Sequence, residues 1–434
     1  MDTVLRSQRV LTPEGVGPAA IHISAGKIVR VSSWDDVAES SRLVDVGEFF
    51  AMPGIVDTHV HVNEPGRTEW EGFESATRAA AAGGITTILD MPLNAIPATT
   101  TVAALEAKRA AGQGKCLVNV EYIGGVVPGN SAELTGLRDA GVRAFKCFLA
   151  PSGVDEFPAV DEADLRVALP VLARLGLPLM VHAEDPACLI ANHDDDSVAY
   201  ADYLASRPVE CEHAAISLMV RLMDEFQTPV HIVHLSSATS LEIVRDARAR
   251  GLPLTVETCP HYLTFASEEI PDGATEYKCA PPIRGAAERE GLWGALISGE
   301  IDLVASDHSP CPPEMKESKG DFFAAWGGIS SLQVSLPAVW TGARAHGVEL
   351  ARMAEWMSEA PARLAGLGAT KGKLAAGFDA DIVVWDPEAG LVIDPANLRH
   401  RHSVTPYAGR NLFGMVVATF VGGRQVFGDE RTSH

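Results

Sequence analysis

The chain has 434 residues, 47% of them hydrophobic and 21% charged, so it can bury a large core. Its formal net charge of −22 argues against a nucleic-acid partner and against binding to an anionic membrane surface. No run of 18 apolar residues predicts a membrane span, and the first residues lack the pattern of a signal peptide. Seven cysteines without C-x-x-C spacing indicate free thiols in a reducing cytoplasm.

The two ends of the chain share a β-rich pattern. Residues 1–50 contain the strand-like pieces Thr3–Leu5, Ala20–Ile23 and Lys27–Val31, separated by turn residues. The same pattern returns after Gly377, in Asp381–Trp385 and Met415–Val421. The simplest interpretation is one small β-sandwich formed by both chain ends.

Residues 51–376 show a different pattern, in which apolar runs alternate with amphipathic segments. The predicted strands are Ala51–Val56, Ile85–Met91, Leu117–Tyr122, Val142–Leu149, Leu177–Val181, Val230–Val233, Leu252–Val256 and Ile301–Ala305. The predicted helices include Glu71–Ala82, Thr101–Ala111, Glu162–Leu175, Glu212–Glu225 and Ser240–Arg250. Eight βα repeats predict a TIM (β/α)8 barrel. We therefore expect a barrel at 51–376 between sandwich segments at 1–50 and 377–434.

A His-x-His pair follows the first predicted barrel strand. Alternate side chains of an extended segment point the same way, so His59 and His61 face one point. Neutral imidazole is the commonest metal-binding side chain. The pair by itself is also compatible with two solvated loop histidines.

Three later strand ends carry further residues of the metal-binding type. His182 ends the fifth predicted strand, His234 the sixth and Asp307 the eighth. Active sites of TIM barrels form at the carboxyl ends of the strands, where these side chains meet. Four histidines and an aspartate suit zinc or a related divalent ion. His231, three residues before His234, should face away, whereas His261 and His308 lie in loops from which they can support the site.

Lys146 lies on the fourth predicted strand among apolar neighbours. A buried, charged and unpaired lysine is costly, and burial lowers the pKa of its amine. A neutral amine near two metal ions can add carbon dioxide and become a carbamate with two anionic oxygens. The alternative is a lysine paired with a carboxylate. The four histidines favour the carbamate.

With these residues the chain resembles, over essentially its full length, the cyclic-amide hydrolases of the amidohydrolase superfamily. This family includes dihydroorotase, dihydropyrimidinase (hydantoinase) and allantoinase. The resemblance implies two divalent ions, zinc in the first place, with cobalt, manganese or iron as alternatives. It implies that His59, His61 and Asp307 hold one ion, that His182 and His234 hold the other, and that carboxylated Lys146 and a hydroxide bridge them.

Within this family the chain is most similar to the allantoinase branch. The similarity lies in His61–Phe73, Met91–Pro97, Phe145–Phe148, Ser306–Cys311 and Trp326–Ser331. Dihydroorotases place an arginine where Asn63 stands and an asparagine where Ala280 stands, and both bind a substrate carboxylate. Hydantoinases place a tyrosine at the position of Pro151. An uncharged, amide-rich ring such as allantoin suits these departures.

The resemblance implies opening of the hydantoin ring of allantoin to give allantoate, with Asp307 as the proton-transferring residue. Expected substrate contacts are Asn94, Ser309, Cys279 and Gly328. The family also suggests a homo-oligomer, a tetramer by analogy. The alternative activities are those of a dihydropyrimidinase (hydantoinase) or a dihydroorotase. A non-catalytic scaffold is disfavoured because all six ligand-type residues are present.

Overall fold

The computed structural model describes residues 3–37, 41–190 and 197–428. Its strands are β1 (Thr3–Thr12), β2 (Gly15–Ser24), β3 (Lys27–Ser32), β4 (Arg42–Asp45), β5 (Phe50–Pro53), β6 (Ile55–Val60), β7 (Ile85–Asp90), β8 (Asn119–Tyr122), β9 (Gly124–Gly125), β10 (Phe145–Phe148), β11 (Leu179–His182), β12 (Val230–Ile232), β13 (Leu254–Thr258), β14 (Leu303–Val304), β15 (Ile382–Val392), β16 (Asn411–Val421) and β17 (Arg424–Phe427).

The α-helices are α1 (Phe73–Ala82), α2 (Val102–Gly112), α3 (Leu134–Asp139), α4 (Glu162–Leu175), α5 (Tyr200–Ser206), α6 (Val209–Phe226), α7 (Leu241–Ala249), α8 (Pro260–Thr264), α9 (Ala286–Ser298), α10 (Pro313–Glu317), α11 (Ser335–Ala345), α12 (Ala351–Ala354) and α13 (Ala360–Leu364). The π-helical turn Glu355–Glu359 joins the last two. No helix within the described ranges is long and apolar enough to cross a membrane.

Strands β6 to β14 form the predicted parallel barrel. The wall consists of two parallel sheets, β6–β7–β8 and β9 to β14. The second sheet continues directly from the first, because only Ile123 separates β8 from β9. The ring closes after β14, where His308 pairs with Val60 and accepts a hydrogen bond from the His61 N–H at 2.9 Å. The predicted TIM barrel is thereby confirmed. Its closure also brings the His59–His61 segment beside Asp307.

The first predicted barrel strand, Ala51–Val56, is wrong as a single strand. It divides at Gly54 into β5, which belongs to the terminal sheet, and β6, which belongs to the barrel. The N–H of Gly54 donates to the Asp381 carbonyl at 2.9 Å, and an added Cβ at Gly54 would meet the Thr86 side chain at 2.3 Å. The chain changes sheets at the one residue small enough for this crossing.

The two chain ends share one β-domain, as predicted. Its strands form a single hydrogen-bonded sheet in the order β17-β16-β15-β5-β1-β2-β3, with β4 beside β1. Leu5, Ile21, Val384 and Phe420 belong to a core of this sheet that is separate from the main barrel core. The proposed domain limits at residues 50 and 377 stay a prediction, and residues 429–434 lie outside the described ranges.

The predicted helices cover the barrel. Helix α4 spans the predicted range, with a capping box formed by Asp161 and Asp164 at its start and a left-handed Gly176 at its end. Its buried residues include Leu165, Leu169 and Leu172, which share one face. The buried positions repeat at helical spacing, as expected of an amphipathic helix that packs on the barrel.

A buried ion pair joins α2 to the end of β7. Lys108 Nζ lies 2.7 Å from Asp90 Oδ2, and both side chains are at most 1% exposed. Lys108 also donates to the Met91 carbonyl at 2.8 Å, and Asp90 accepts the Val62 N–H at 2.9 Å. The pair thus ties the backbone after β6 to the backbone after β7.

We expect Lys108→Met to lower the free energy of unfolding by about 3–5 kcal/mol, because Asp90 would remain buried without its cation. Urea or thermal unfolding followed by circular dichroism measures this loss. Arg78→Met is the matched control, since Arg78 pairs with Glu74 at the surface, and it should change stability by less than about 0.5 kcal/mol. Equal effects of the two substitutions would contradict the assigned role of the buried pair.

Candidate functional site

One cavity at the carboxyl ends of the barrel strands is lined by the predicted site residues except Lys146, which is fully buried. It has a volume of about 80 Å³ and opens into an outer cavity of about 350 Å³. Its lining includes the predicted ligands His59, His61, His182, His234 and Asp307 and the predicted substrate contacts Asn94, Ser309, Cys279 and Gly328. The wall shared by the two cavities consists of Pro151, Ser152, Arg207, Ala280, Trp326 and Gly327. Residues predicted from the ends of different strands therefore line one cavity.

The first group of ligand-type atoms lies where β6 meets the end of β14. His59 Nε2 and His61 Nε2 lie 3.2 and 3.4 Å from Asp307 Oδ1. Burial lowers the pKa of His61 to about 4, so its ring is neutral at physiological pH. Two imidazole nitrogens and a carboxylate oxygen converge as a divalent cation requires.

The second group lies at the ends of β11 and β12. His182 Nδ1 and His234 Nε2 face each other at 3.0 Å, and Phe148 stacks on the His182 ring. Burial lowers the pKa of both histidines. The His59 and His234 ring centroids are 5.5 Å apart, so the two groups are neighbours.

Lys146 is fully buried on β10. Its Nζ has no hydrogen-bond partner among the described residues, and no carboxylate pairs with it there. Burial lowers its pKa to about 8, and its positive charge in turn lowers the pKa of His182 and His234. The alternative of a carboxylate-paired lysine is therefore not what the fold provides.

Glu257 on β13 supports both groups and was not predicted. Its Oε1 accepts the His59 Nδ1–H at 2.5 Å and the His234 backbone N–H at 3.4 Å, and its Oε2 accepts the His231 Nε2–H at 2.9 Å. This carboxylate is fully buried. It fixes the tautomer of His59 that leaves Nε2 free for a cation. His231 faces away from the cavity as predicted, yet it contacts the carboxylate behind it.

Glu184 plays the corresponding part for His182. Its Oε2 lies 2.8 Å from His182 Nε2, which leaves the opposite nitrogen, Nδ1, directed at His234. Arg207 holds the same carboxylate through Nε at 3.0 Å and Nη2 at 2.6 Å. His59 and His182 thus present different ring nitrogens to the cavity, Nε2 and Nδ1, because each ring is bound by its own glutamate.

The remaining predicted residues take varied places. Asn94 Nδ2 lies 3.4 Å from His61 Nδ1, so Asn94 contacts a ligand-type histidine as well as the cavity. His308 pairs with Glu71 at 3.2 Å and supports the site through its backbone. Neither ring nitrogen of His261 has a hydrogen-bond partner among the described residues, although His261 lies close to Asp307.

Backbone geometry shapes the wall that carries the predicted substrate contacts. The Gly328 N–H donates to the Lys278 carbonyl at 2.9 Å, and the Cys279 carbonyl accepts the Tyr203 hydroxyl at 2.7 Å. A Cβ added at Gly328 would meet the Ser309 carbonyl oxygen at 2.3 Å. Only glycine allows this close approach, which places Ser309 in the cavity.

Strained backbone also marks the site. Asn63, Asn94, His234 and Asp307 have φ values of 66, 68, 41 and 44°. Non-glycine residues adopt this left-handed region at a cost, and such residues concentrate at functional sites. The fold therefore holds these four side chains in directions that a relaxed strand end would not give.

The side chains fit divalent ions. The site offers neutral imidazoles, whose pKa values burial lowers at His61, His182 and His234. It adds the Asp307 carboxylate, and it buries the Lys146 amine without a partner. Nitrogen and oxygen donors of this kind suit zinc and its neighbours in the first transition series.

Sequence comparison supplies the family. The model of the amidohydrolase family matches residues 50–426. The chain belongs to the amidohydrolase family. Its relatives include an allantoinase from Streptomyces avermitilis, 50% identical over 430 residues, which covers 99% of this chain and 96% of the relative. An allantoinase from Arabidopsis thaliana is 44% identical and covers 98% of this chain and 88% of the relative.

Solved structures of hydantoinases share the whole fold. The L-hydantoinase (dihydropyrimidinase) of Arthrobacter aurescens has a TM-score of 0.91 and 32% identity, covering 99% of each chain. The dihydropyrimidinase of Brevibacillus agri has a TM-score of 0.90 and 27% identity, covering 99% of this chain and 96% of that chain. Barrel and terminal sheet are thus common to this chain and both neighbours.

We expect Glu257→Gln to weaken metal binding by roughly 10- to 100-fold, because an amide cannot fix the His59 tautomer as a carboxylate does. Competition with a coloured chelator measures the affinity without reference to catalysis. Glu162→Gln is the control, since Glu162 forms exposed ion pairs with Arg166 and Arg221. A Glu257→Gln variant that retains the affinity of the unaltered protein would remove Glu257 from this role.

Proposed function

We propose that this protein hydrolyses the hydantoin ring of allantoin and releases allantoate. The site carries the general reaction, because four histidines and an aspartate converge in one buried cavity. The choice of substrate is supported by the allantoinases that are 50% and 44% identical over nearly the full chain. The metal ligands, the proton carrier and the lysine carbamate belong to the same proposal.

His59, His61 and Asp307 would hold one divalent ion, and His182 and His234 a second. Zinc fits the nitrogen-rich donor set best, and cobalt, manganese or iron are alternatives. When bound, such ions polarise the ring carbonyl and lower the pKa of a bound water molecule to about 7. Glu257 and Glu184 orient the rings of His59 and His182 so that Nε2 of the first and Nδ1 of the second face the ion sites.

Asp307 is the proposed proton carrier. Its Oδ1 lies beside His59 and His61, and the residue lines the cavity in which the ring must lie. It takes a proton from the attacking water and delivers it to the ring nitrogen as the C–N bond breaks. Its left-handed backbone, with φ of 44°, holds the carboxylate in this position.

Lys146 is the proposed carbamate. Its buried Nζ lacks a partner, and burial lowers its pKa to about 8, which favours the nucleophilic free amine. The nitrogen forms a bond to the carbon of carbon dioxide and releases one proton. The product is an anion with two oxygen donors, whose negative charge offsets part of the charge of two cations. The free amine would offer only one neutral donor.

The cavity is suited to an uncharged ring. Asn63, at the dihydroorotase arginine position, is 1% exposed and its Nδ2 lies 3.4 Å from the Pro310 carbonyl. Ala280 lines the cavity with a methyl group where an amide is expected for carboxylate substrates. A substrate carboxylate would therefore lose two partners.

Hydantoinase activity is the second candidate, and the TM-score of 0.91 with the Arthrobacter aurescens enzyme favours it. Pro151, which lines the cavity, replaces the tyrosine expected in hydantoinases. The homotetramer and the cytoplasmic location stay predictions from the family resemblance and the composition.

A substrate panel tests the proposal. On metal-loaded protein, kcat/KM for allantoin should exceed that for dihydroorotate by roughly 10²-fold or more, because a desolvated carboxylate without a partner is expensive. Hydantoin and dihydrouracil complete the panel, and chelation should abolish all turnover.

Two results would decide against allantoin. Turnover of dihydroorotate at the allantoin rate would show that Asn63 and Ala280 do not set specificity. Faster opening of dihydrouracil or hydantoin than of allantoin would select the hydantoinase activity instead.

Lys146→Ala should lose nearly all activity and bind fewer than the roughly two ions expected of a two-metal site. Short carboxylic acids should restore part of the activity, because they replace the anionic oxygens. Elemental analysis and rate measurements follow both effects. Lys27→Ala is the control, since this lysine pairs with Asp379 at the surface. Unchanged metal content and rate in Lys146→Ala would show that the lysine only fills space.

A further inference from the structure

An arginine that sequence reasoning did not single out lies in the wall of the cavity. Arg207 lies between α5 and α6 and lines both the inner cavity with the histidines and the larger outer cavity. Its side chain is 20% exposed. It is one of six residues that line both cavities, so a substituent that extends from the histidines toward the outer cavity would pass near it.

The orientation of Arg207 is fixed by Glu184. The Glu184 side chain is fully buried and binds the edge of the guanidinium that carries Nε and Nη2. Nη1 lies on the side of the guanidinium that faces away from this carboxylate. Within the described ranges Nη1 has no hydrogen-bond or ion-pair partner. Glu184 engages two of the five guanidinium N–H groups, which leaves three for a ligand, two of them on Nη1.

The charge of Arg207 is compensated before any ligand arrives. Glu184 forms a bidentate pair with it, and the carboxylate of this pair is fully buried. A carboxylate ligand would gain little net attraction from this arginine. A neutral carbonyl oxygen needs only the donor geometry, which the free edge supplies.

We propose that Arg207 is a specificity-determining residue, whose Nη1 donates to an uncharged carbonyl on the part of the substrate outside the reacting ring. This inference rests on the proposed function, in which allantoin carries a neutral ureido group on the hydantoin ring. Hydantoin itself lacks that group. The proposal therefore concerns the preference for the substituted ring over the bare one.

Arg207→Lys is the test, because lysine keeps a cation beside Glu184 and removes Nη1. We expect kcat/KM for allantoin to fall roughly 3- to 10-fold relative to hydantoin, the size of one lost hydrogen bond. Hydantoin serves as a competitive inhibitor if its turnover is below detection. Metal content, measured by elemental analysis, should stay unchanged. Arg221→Lys is the control, since Arg221 pairs with Glu162 on the outer surface of α6.

The outcomes separate this proposal from the function on which it rests. If the unaltered protein does not open allantoin, the proposed function fails first. If it does, an unchanged allantoin-to-hydantoin ratio in Arg207→Lys overturns the role of Arg207 alone. Metal loss with an equal decrease for both ligands also overturns it, because Arg207 would then act only through Glu184 and His182.

Glu184→Gln provides an independent measurement. The amide oxygen can still accept from His182 and from Nη2 of Arg207, but the contact with Nε is lost and the guanidinium charge is left uncompensated. Because Glu184 also supports His182, the metal content of the variant is measured first. The affinity for dihydroorotate, measured as an inhibitor on metal-loaded protein, should then rise roughly tenfold or more relative to hydantoin. No gain for the carboxylated ring would show that charge compensation at Arg207 does not govern the choice.

Discussion

Glu257 and Glu184 fix the rings of His59 and His182, and the geometry of the site depends on these two contacts. An imidazole binds a cation through one nitrogen only when the other carries the proton. Glu257 accepts a hydrogen bond from the Nδ1–H of His59, whereas Glu184 accepts one from the Nε2–H of His182. The two rings consequently present opposite nitrogens toward one cavity. Neither choice comes from the histidine itself: Glu184 follows His182 by two residues, whereas Glu257 reaches His59 from a distant strand.

Barrel closure provides the second constraint. Strand β6 carries His59, and Asp307 follows β14, so the two residues meet only when the first and last barrel strands are neighbours. The pairing of Val60 with His308 makes that closure. Left-handed backbone at Asp307 then turns its carboxylate toward the histidines, at a cost that the surrounding packing must cover. The parallel strands bring the residues to one end of the barrel, and the left-handed backbone sets the direction of their side chains.

The sequence predicted the elements and the ligand-type residues for a simple reason. Strand ends are visible as apolar runs, and His182, His234 and Asp307 each stand at such an end. Glu257 is separated from His59 by 198 positions, and no periodicity relates them. The division of the first predicted strand at Gly54 was missed because both halves are equally apolar. Patterns along the chain predict direction and burial, whereas contacts between distant strands require the closed barrel.

The charge balance of the cavity matters for product as well as substrate. Under the proposed reaction an uncharged ring enters and a carboxylate leaves. An arginine with a free charge would bind that carboxylate tightly and slow its release, since a bidentate arginine–carboxylate contact is among the stronger polar contacts in proteins. Arg207 is already paired with Glu184 on one edge. It can therefore direct a neutral group through its other edge without retaining the anionic product. The same carboxylate holds His182, so under the proposed reaction one residue would serve both the selection of the substrate and the support of the metal site.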